Sequence, residues 1–168
     1  AGQAVREVSA RIAKRAPDLQ IFVEDGSLSL LASGRQPLSF DDVQLRAEAT
    51  DERIEATVSC ASRLWDRLTL KMNLTGGELT GDGTVKIVGL RAHDLGQVLG
   101  QDETWPIRDA VVDADLRWQM KGLADIQAEG ILSALKVSLR FGERHVDLLS
   151  PTIDASVHLR NGATEISI

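Results

Sequence analysis

The sequence has few aromatic residues and a single cysteine. Of its 168 residues only 4% are aromatic, and none is Tyr. Proteins that bind carbohydrate or single-stranded nucleic acid by stacking present more rings than this. Cys60 has no second cysteine to pair with, so a small scaffold held by internal disulfides is excluded, although a periplasmic location is not.

The sequence also has no excess of positive charge and no long apolar run. Its formal net charge is −6 and its pI is near 5.1, which argues against nucleic acid as a partner. No stretch approaches the roughly twenty apolar residues that a membrane-spanning helix needs, and no signal peptide precedes the first helix-like segment. Because the sequence ends on a strand pattern, we expect it to be a piece of a longer protein that carries its membrane anchor elsewhere.

What the sequence does contain is alternation of apolar and polar residues. In the clearest segment, Leu68 to Leu74, every second residue is apolar, and the pattern recurs at Leu135 to Phe141, 67 residues later. A period of two places all the apolar side chains on one face of a β-strand. The turns between such segments are too short for parallel crossovers. The sequence therefore predicts an all-β fold, a curved antiparallel sheet of repeated strands.

Local signals divide the chain further. Residues 3–16 have the spacing of a short helix, and His93 to Leu99 predicts a second one. Asp25-Gly26 and Asn161-Gly162 are typical of two-residue hairpin turns. A change of parity at Asp41-Asp42 predicts a β-bulge.

The constant offset indicates a duplication. We predict a single fragment, 1–168, with two β repeats, at approximately 19–100 and 105–168. In the second repeat, Ala124 to Leu132 and Leu135 to Phe141 are predicted as separate strands.

No residues form a recognisable active site. His93, His145 and His158 lack the spacing of a metal site, and Cys60 lies on the apolar side of its strand, where an inert buried thiol is expected. Carboxylate pairs such as Asp41-Asp42 are expected on the solvated face of a sheet. The sequence thus predicts no catalytic residue, no metal and no cofactor, and a protein that is not an enzyme.

Three segments resemble the AsmA-like family of bacterial envelope proteins, which includes TamB and YhdP relatives. Ile21 to Leu30 and Phe40 to Leu45 are similar to the family's Gly-centred element and the strand that follows it. Gly83 to Leu90, leading into His93 to Leu99, is similar to its strand and short helix. The resemblance implies a periplasmic β-groove that carries phospholipid acyl chains, in a protein anchored in the inner membrane.

Two functions follow as expectations. The first is a non-enzymatic lipid-handling module in intermembrane transport or outer-membrane biogenesis, with phospholipid or another acyl-chain lipid and the adjacent β repeats as its partners. The second is an assembly scaffold that pairs through its sheet edges with other envelope proteins. Eight apolar residues are candidates for the groove lining, and an ordinary packed core is the alternative for each of them. They are Leu68, Leu70, Met72, Leu74, Leu135, Val137, Leu139 and Phe141.

Overall fold

The described residues form one antiparallel sheet with one short helix. The computed structural model describes residues 19–30, 37–50, 53–75, 80–99, 106–122, 125–160 and 163–167. The elements in these ranges are β1 (Leu19–Leu30), β2 (Leu38–Ala49), β3 (Arg53–Ser62), β4 (Trp65–Thr75), β5 (Thr80–Arg91), α1 (Ala92–Leu99), β6 (Ile107–Lys121), β7 (Asp125–Phe141), β8 (Arg144–Leu149), β9 (Thr152–Arg160) and β10 (Ala163–Ser167).

The strands follow one another across the sheet in chain order. β8 and β9 lie end to end along the same edge of β7, interrupted at Ser150-Pro151, and β10 pairs with β9. The sheet is therefore nine strands wide and is not closed. The predicted all-β antiparallel fold is confirmed, as is the short helix before Gly100. The helix predicted at residues 3–16 lies outside the described residues.

Each face of the sheet has its own chemistry, because directly paired residues of antiparallel strands share a face. On one side, which we call the apolar face, the register aligns almost only apolar residues from β1 to β9. They are Leu19, Ile21, Val23, Leu45, Ala47, Ala49, Ile54, Ala56, Val58, Cys60, Leu68, Leu70, Met72, Leu74, Val85, Ile87, Ala114, Leu116, Trp118, Met120, Ile126, Ala128, Leu132, Ile153, Ala155, Val157 and Leu159. The opposite side, the polar face, carries the charged, amide and hydroxyl side chains between them.

Helix α1 covers one end of the apolar face. It contacts β6, where Ala110 and Ala114 are each only 4% exposed. Their neighbours Val111 and Asp113, on the other parity, are exposed. The helix therefore lies on the apolar side, where two small side chains allow it to approach the strand closely.

Elsewhere the apolar face is half-buried although no second layer of described residues covers it. Ile21 on the edge strand β1 and Val157 on β9, next to the last strand, are 42% and 38% exposed, whereas Leu70 at the centre is half-buried. A Cβ added to Gly83 would collide with the carbonyl oxygen of Lys71 in the neighbouring strand. Gly83 pairs with Met72 and Trp118 of the apolar face, so its missing side chain lets the neighbouring strand and the Trp118 ring approach closely there.

The hairpin predicted at Asp25-Gly26 is wrong. β1 continues through both residues, and its pairing with β2 shifts on either side of Gly26. A type I′ turn requires positive φ at both central residues, but only Asp25 has it, at 52°. These residues form a bulge. The bulge predicted at Asp41-Asp42 is confirmed by a register shift and by a φ of 50° at Asp42.

The two strands predicted at Ala124 to Leu132 and Leu135 to Phe141 are one strand, β7. Ala134 pairs with Val112 and Val137 pairs with Ala110. Between these two pairs β7 has two residues and β6 has one, so β7 contains a bulge. The change of parity is absorbed by this bulge and not by a turn. The last predicted hairpin is consistent with the pairing of Arg160 with Ala163, while Asn161-Gly162 itself lies outside the described residues.

Candidate functional site

The apolar face is the first candidate surface. Leu68, Leu70, Met72 and Leu74 lie on β4 near the middle of the sheet, half-buried, between strands β3 and β5. Their partners on both sides are apolar residues or glycines. These four predicted residues therefore belong to a continuous apolar surface and not to an isolated stripe.

The other four predicted residues lie on β7, separated from β4 by two strands. Val137 and Leu139 are half-buried and pair with Ala110 and Ile107 of β6. Phe141 shares their parity and is 57% exposed. Leu135 lies in the bulge, at 87% exposure, and has no cross-strand partner in the register. The structure thus places three of the four on the apolar face and leaves Leu135 apart.

Residues 136–149, which we call the β7–β8 ribbon, form a two-stranded hairpin with contrasting sides. On its polar side, the carboxylate of Asp147 accepts a hydrogen bond from the Ser138 hydroxyl at 2.7 Å and lies 2.9 Å from the Lys136 ammonium. The hydrogen bond from Ser138, followed by the contact with Lys136, lowers the pKa of Asp147 below its usual range. These contacts tie the two strands together.

The tip of the β7–β8 ribbon has a different composition. Nε of Arg140 donates to the carbonyl oxygen of Gly142 at 3.0 Å. Within the part of the chain that the structure describes, neither Arg140 nor Arg144 forms an ion pair. The exposed ring of Phe141 lies between these two cations in sequence, and Glu143 is the acid of the turn, so the tip combines an apolar group with one net positive charge.

The polar face carries a hollow of about 1510 Å³ that is open to solvent. Within it, Lys71 and Arg117 flank Thr84 in one row across three strands, and Arg46 is paired with Glu48 at 2.8 Å. Sequence reasoning missed this hollow, because its residues look like an ordinary solvated face until the register aligns them. Of the eight predicted groove residues only Met72 borders it. The hollow is lined by Arg46, Glu48, Arg53, Glu55, Ala56, Thr57, Lys71, Met72, Asn73, Thr75, Thr80, Gly81, Asp82, Gly83, Thr84, Arg117, Trp118, Gln119, Met120, Lys121, Gly122, Gln127 and Glu129.

The reactive side chains are dispersed. Nε2 of His158 lies 2.8 Å from Asp125, and Nε2 of His93 lies 3.2 Å from the amide of Gln97. Cys60 is 8% exposed, and burial raises the pKa of its thiol. Across the described ranges, no three His, Cys, Asp or Glu side chains are grouped as a metal ion would require.

Two further observations bear on function. None of the helical residues that the structure describes forms a segment long and apolar enough to cross a membrane. No family model, curated protein or solved structure matches the chain. The two faces of the sheet are therefore the basis for assigning a function.

Proposed function

We propose that this protein is a non-enzymatic lipid-handling module of the AsmA-like type, whose apolar face shields phospholipid acyl chains between membranes. The observation that carries the proposal is a continuous apolar face on a sheet nine strands wide, covered among the described residues only by α1 at one end. Covering such a face with any apolar group is favourable, because it removes apolar surface from water.

The dimensions of the face are compatible with acyl chains. Neighbouring strands lie about 4.8 Å apart, so nine strands extend over about 38 Å along the curve. The acyl chains of one bilayer leaflet span about 15 Å. Each methylene removed from water contributes about 0.8 kcal/mol, so a chain lying across several strands would be held without specific polar contacts.

The proposed setting follows from the same chemistry. A lipid in transit between two membranes needs an apolar surface in the aqueous space between them, which is the periplasm. We place the module there, with the membrane anchor and further β repeats in other parts of the full-length protein. The apolar face would then continue into the neighbouring repeats.

Site-specific photo-crosslinking tests the proposal. Leu70 and Lys71 are neighbours on β4 but lie on opposite faces, which makes them a matched pair. A photoreactive side chain at Leu70 should capture phospholipid from membrane extracts, and the same side chain at Lys71 should not. Equal capture at both positions, or no capture by the folded protein at either, would overturn the lipid-handling proposal.

An assembly scaffold is the second candidate, and the open sheet edge favours it. β1 pairs only with β2 among the described strands, and Phe22, Leu28 and Leu30 along it are 57%, 55% and 52% exposed. An unpaired edge strand can accept a strand from another chain through backbone hydrogen bonds. In this case the apolar face would be covered by protein and not by lipid.

A further inference from the structure

The β7–β8 ribbon exposes more apolar surface than the centre of the sheet. Phe141, Val146 and Leu148 are 57%, 43% and 42% exposed. The register places them on the side of Val137 and Leu139, so the exposed side of the ribbon continues the apolar face. Strand β8 pairs only with β7 in the described part of the sheet, which leaves the ribbon accessible from outside.

The charges of the β7–β8 ribbon are separated along its length. At its base, Asp147 neutralises Lys136. At its tip, Arg140 and Arg144 have no carboxylate within ion-pair distance among the described residues, and Glu143 is the only acid in the turn. The tip is therefore locally cationic in a chain whose formal net charge is −6.

We propose that the tip of the β7–β8 ribbon docks on the surface of an anionic lipid bilayer. The ring of Phe141 enters the interfacial region, and the guanidinium groups of Arg140 and Arg144 contact lipid phosphates. Aromatic rings favour this depth of a membrane, and nearby basic residues add attraction to anionic lipids. This inference rests on the proposed function, because it names the membrane surface from which lipid reaches the apolar face.

Charge complementarity favours a bilayer over other occupants. An anionic surface repels a chain of net charge −6 at most orientations and attracts it where cations are concentrated.

A second aromatic residue provides the comparison. Phe22 is also 57% exposed, but its arginine neighbour, Arg46, lies 5.7 Å from the ring centroid and is already ion-paired with Glu48. Among the described residues, only the ribbon tip combines an exposed Phe ring with arginines that form no ion pair.

Flotation with lipid vesicles tests the docking. The folded protein should bind vesicles made of equal parts phosphatidylcholine and phosphatidylglycerol, and should bind pure phosphatidylcholine more weakly. Added salt should weaken the binding to the mixed vesicles. Phe141→Asp should lower this binding about tenfold, and Arg144→Glu should lower it only when phosphatidylglycerol is present. Phe22→Asp, at the same exposure, is the matched control and should leave binding unchanged.

Circular dichroism would establish that each variant is folded before its binding is compared. Failure of the parent protein to bind the mixed vesicles, an equal loss with Phe22→Asp, or no loss with Arg144→Glu would each overturn the docking proposal. Vesicle binding without lipid capture at Leu70 would support docking while overturning acyl-chain shielding. Lipid capture at Leu70 without vesicle binding would overturn docking alone.

Discussion

Curvature of this sheet depends on individual backbone positions. Asp25, Asp42 and Ser150 all have φ values near +50°, a region that Asp tolerates better than most residues. Each lies at a bulge or at an interruption of the strand pairing. The extra residue at a bulge bends and twists its strand, so these few positions shape the sheet far beyond their own contacts.

The close approach of neighbouring strands at Gly83 should leave no room for a side chain. In Gly83→Ala the new Cβ would meet the carbonyl oxygen of Lys71 and lie 2.7 Å from the ring of Trp118. Because backbone cannot move aside as a flexible side chain can, we expect a loss of about 1–3 kcal/mol in the free energy of unfolding. Urea denaturation of the variant and the parent protein measures this loss.

Gly142→Asn provides the control. Apart from Gly142 and its two chain neighbours, no described atom lies within 4 Å of a Cβ built at Gly142, and its φ of 63° is one that Asn adopts readily. This variant should unfold near the parent's midpoint. If Gly83→Ala is as stable as Gly142→Asn, the strands at Gly83 are not as closely packed as the structure has them.

Among the elements, the β7–β8 ribbon has the least support from the rest of the sheet. All residues of β8 are exposed, so its attachment to β7 relies on backbone hydrogen bonds and on the Asp147 contacts. The pKa of Asp147 in the folded protein lies below its unfolded value. Its ionised form therefore stabilises the ribbon at pH values above the unfolded pKa, and this contribution is lost as the pH falls through the folded pKa.

A carboxyl titration by NMR tests the source of this shift. Ser138→Ala removes the hydrogen bond that is the largest cause of the shift, so the pKa of Asp147 should rise toward the usual range for Asp. Ser133→Ala, on the same strand and away from Asp147, is the control and should leave the titration unchanged. A pKa in Ser138→Ala equal to the parent's would show that the hydroxyl does not stabilise the carboxylate.

Some of the elements could be predicted from local sequence patterns, without knowledge of how the strands pair. Alternation on β4, the bulge at Asp41-Asp42 and the helix after Arg91 depend on a few consecutive residues, and all three were predicted. The hairpin prediction at Asp25-Gly26 is wrong because a residue with positive φ can occur both in a hairpin turn and at a bulge, and only the pairing with β2 distinguishes them. The change of parity near Leu135 can likewise indicate either a turn or a bulge, and only the pairing of β7 with β6 distinguishes them.

The candidate surfaces also differ in how far the sequence predicts them. The apolar face follows directly from alternation, so Leu68 to Leu74 could be placed on it from the sequence. The polar hollow could not be predicted, because it requires the register and twist of six strands together. The exposure of Phe141 at a hairpin tip also depends on where β7 ends relative to β6, which pairs with β7 only as far as Leu139.

At the scale of the whole molecule, the described strands present an apolar face in place of a closed core. Only six apolar side chains among the described residues are 8% exposed or less: Ala56, Cys60, Leu64, Ala92, Ala110 and Ala114. Most of them are small, so they contribute little apolar area. The stability of the sheet must therefore depend strongly on strand pairing and on half-buried side chains, and both are weakest at the edges.

Hydrogen exchange should reveal this gradient and also test the scaffold alternative. Amides of β4, bonded to strands on both sides, should exchange slowly, while alternate amides of β1 and β8 point away from the sheet and should exchange fast. If copies of the chain pair through their edges, protection in β1 should increase with protein concentration while β4 stays unchanged. Protection that is uniform across β1, β4 and β8 at low concentration would contradict an open sheet, because it would require a partner for every edge amide.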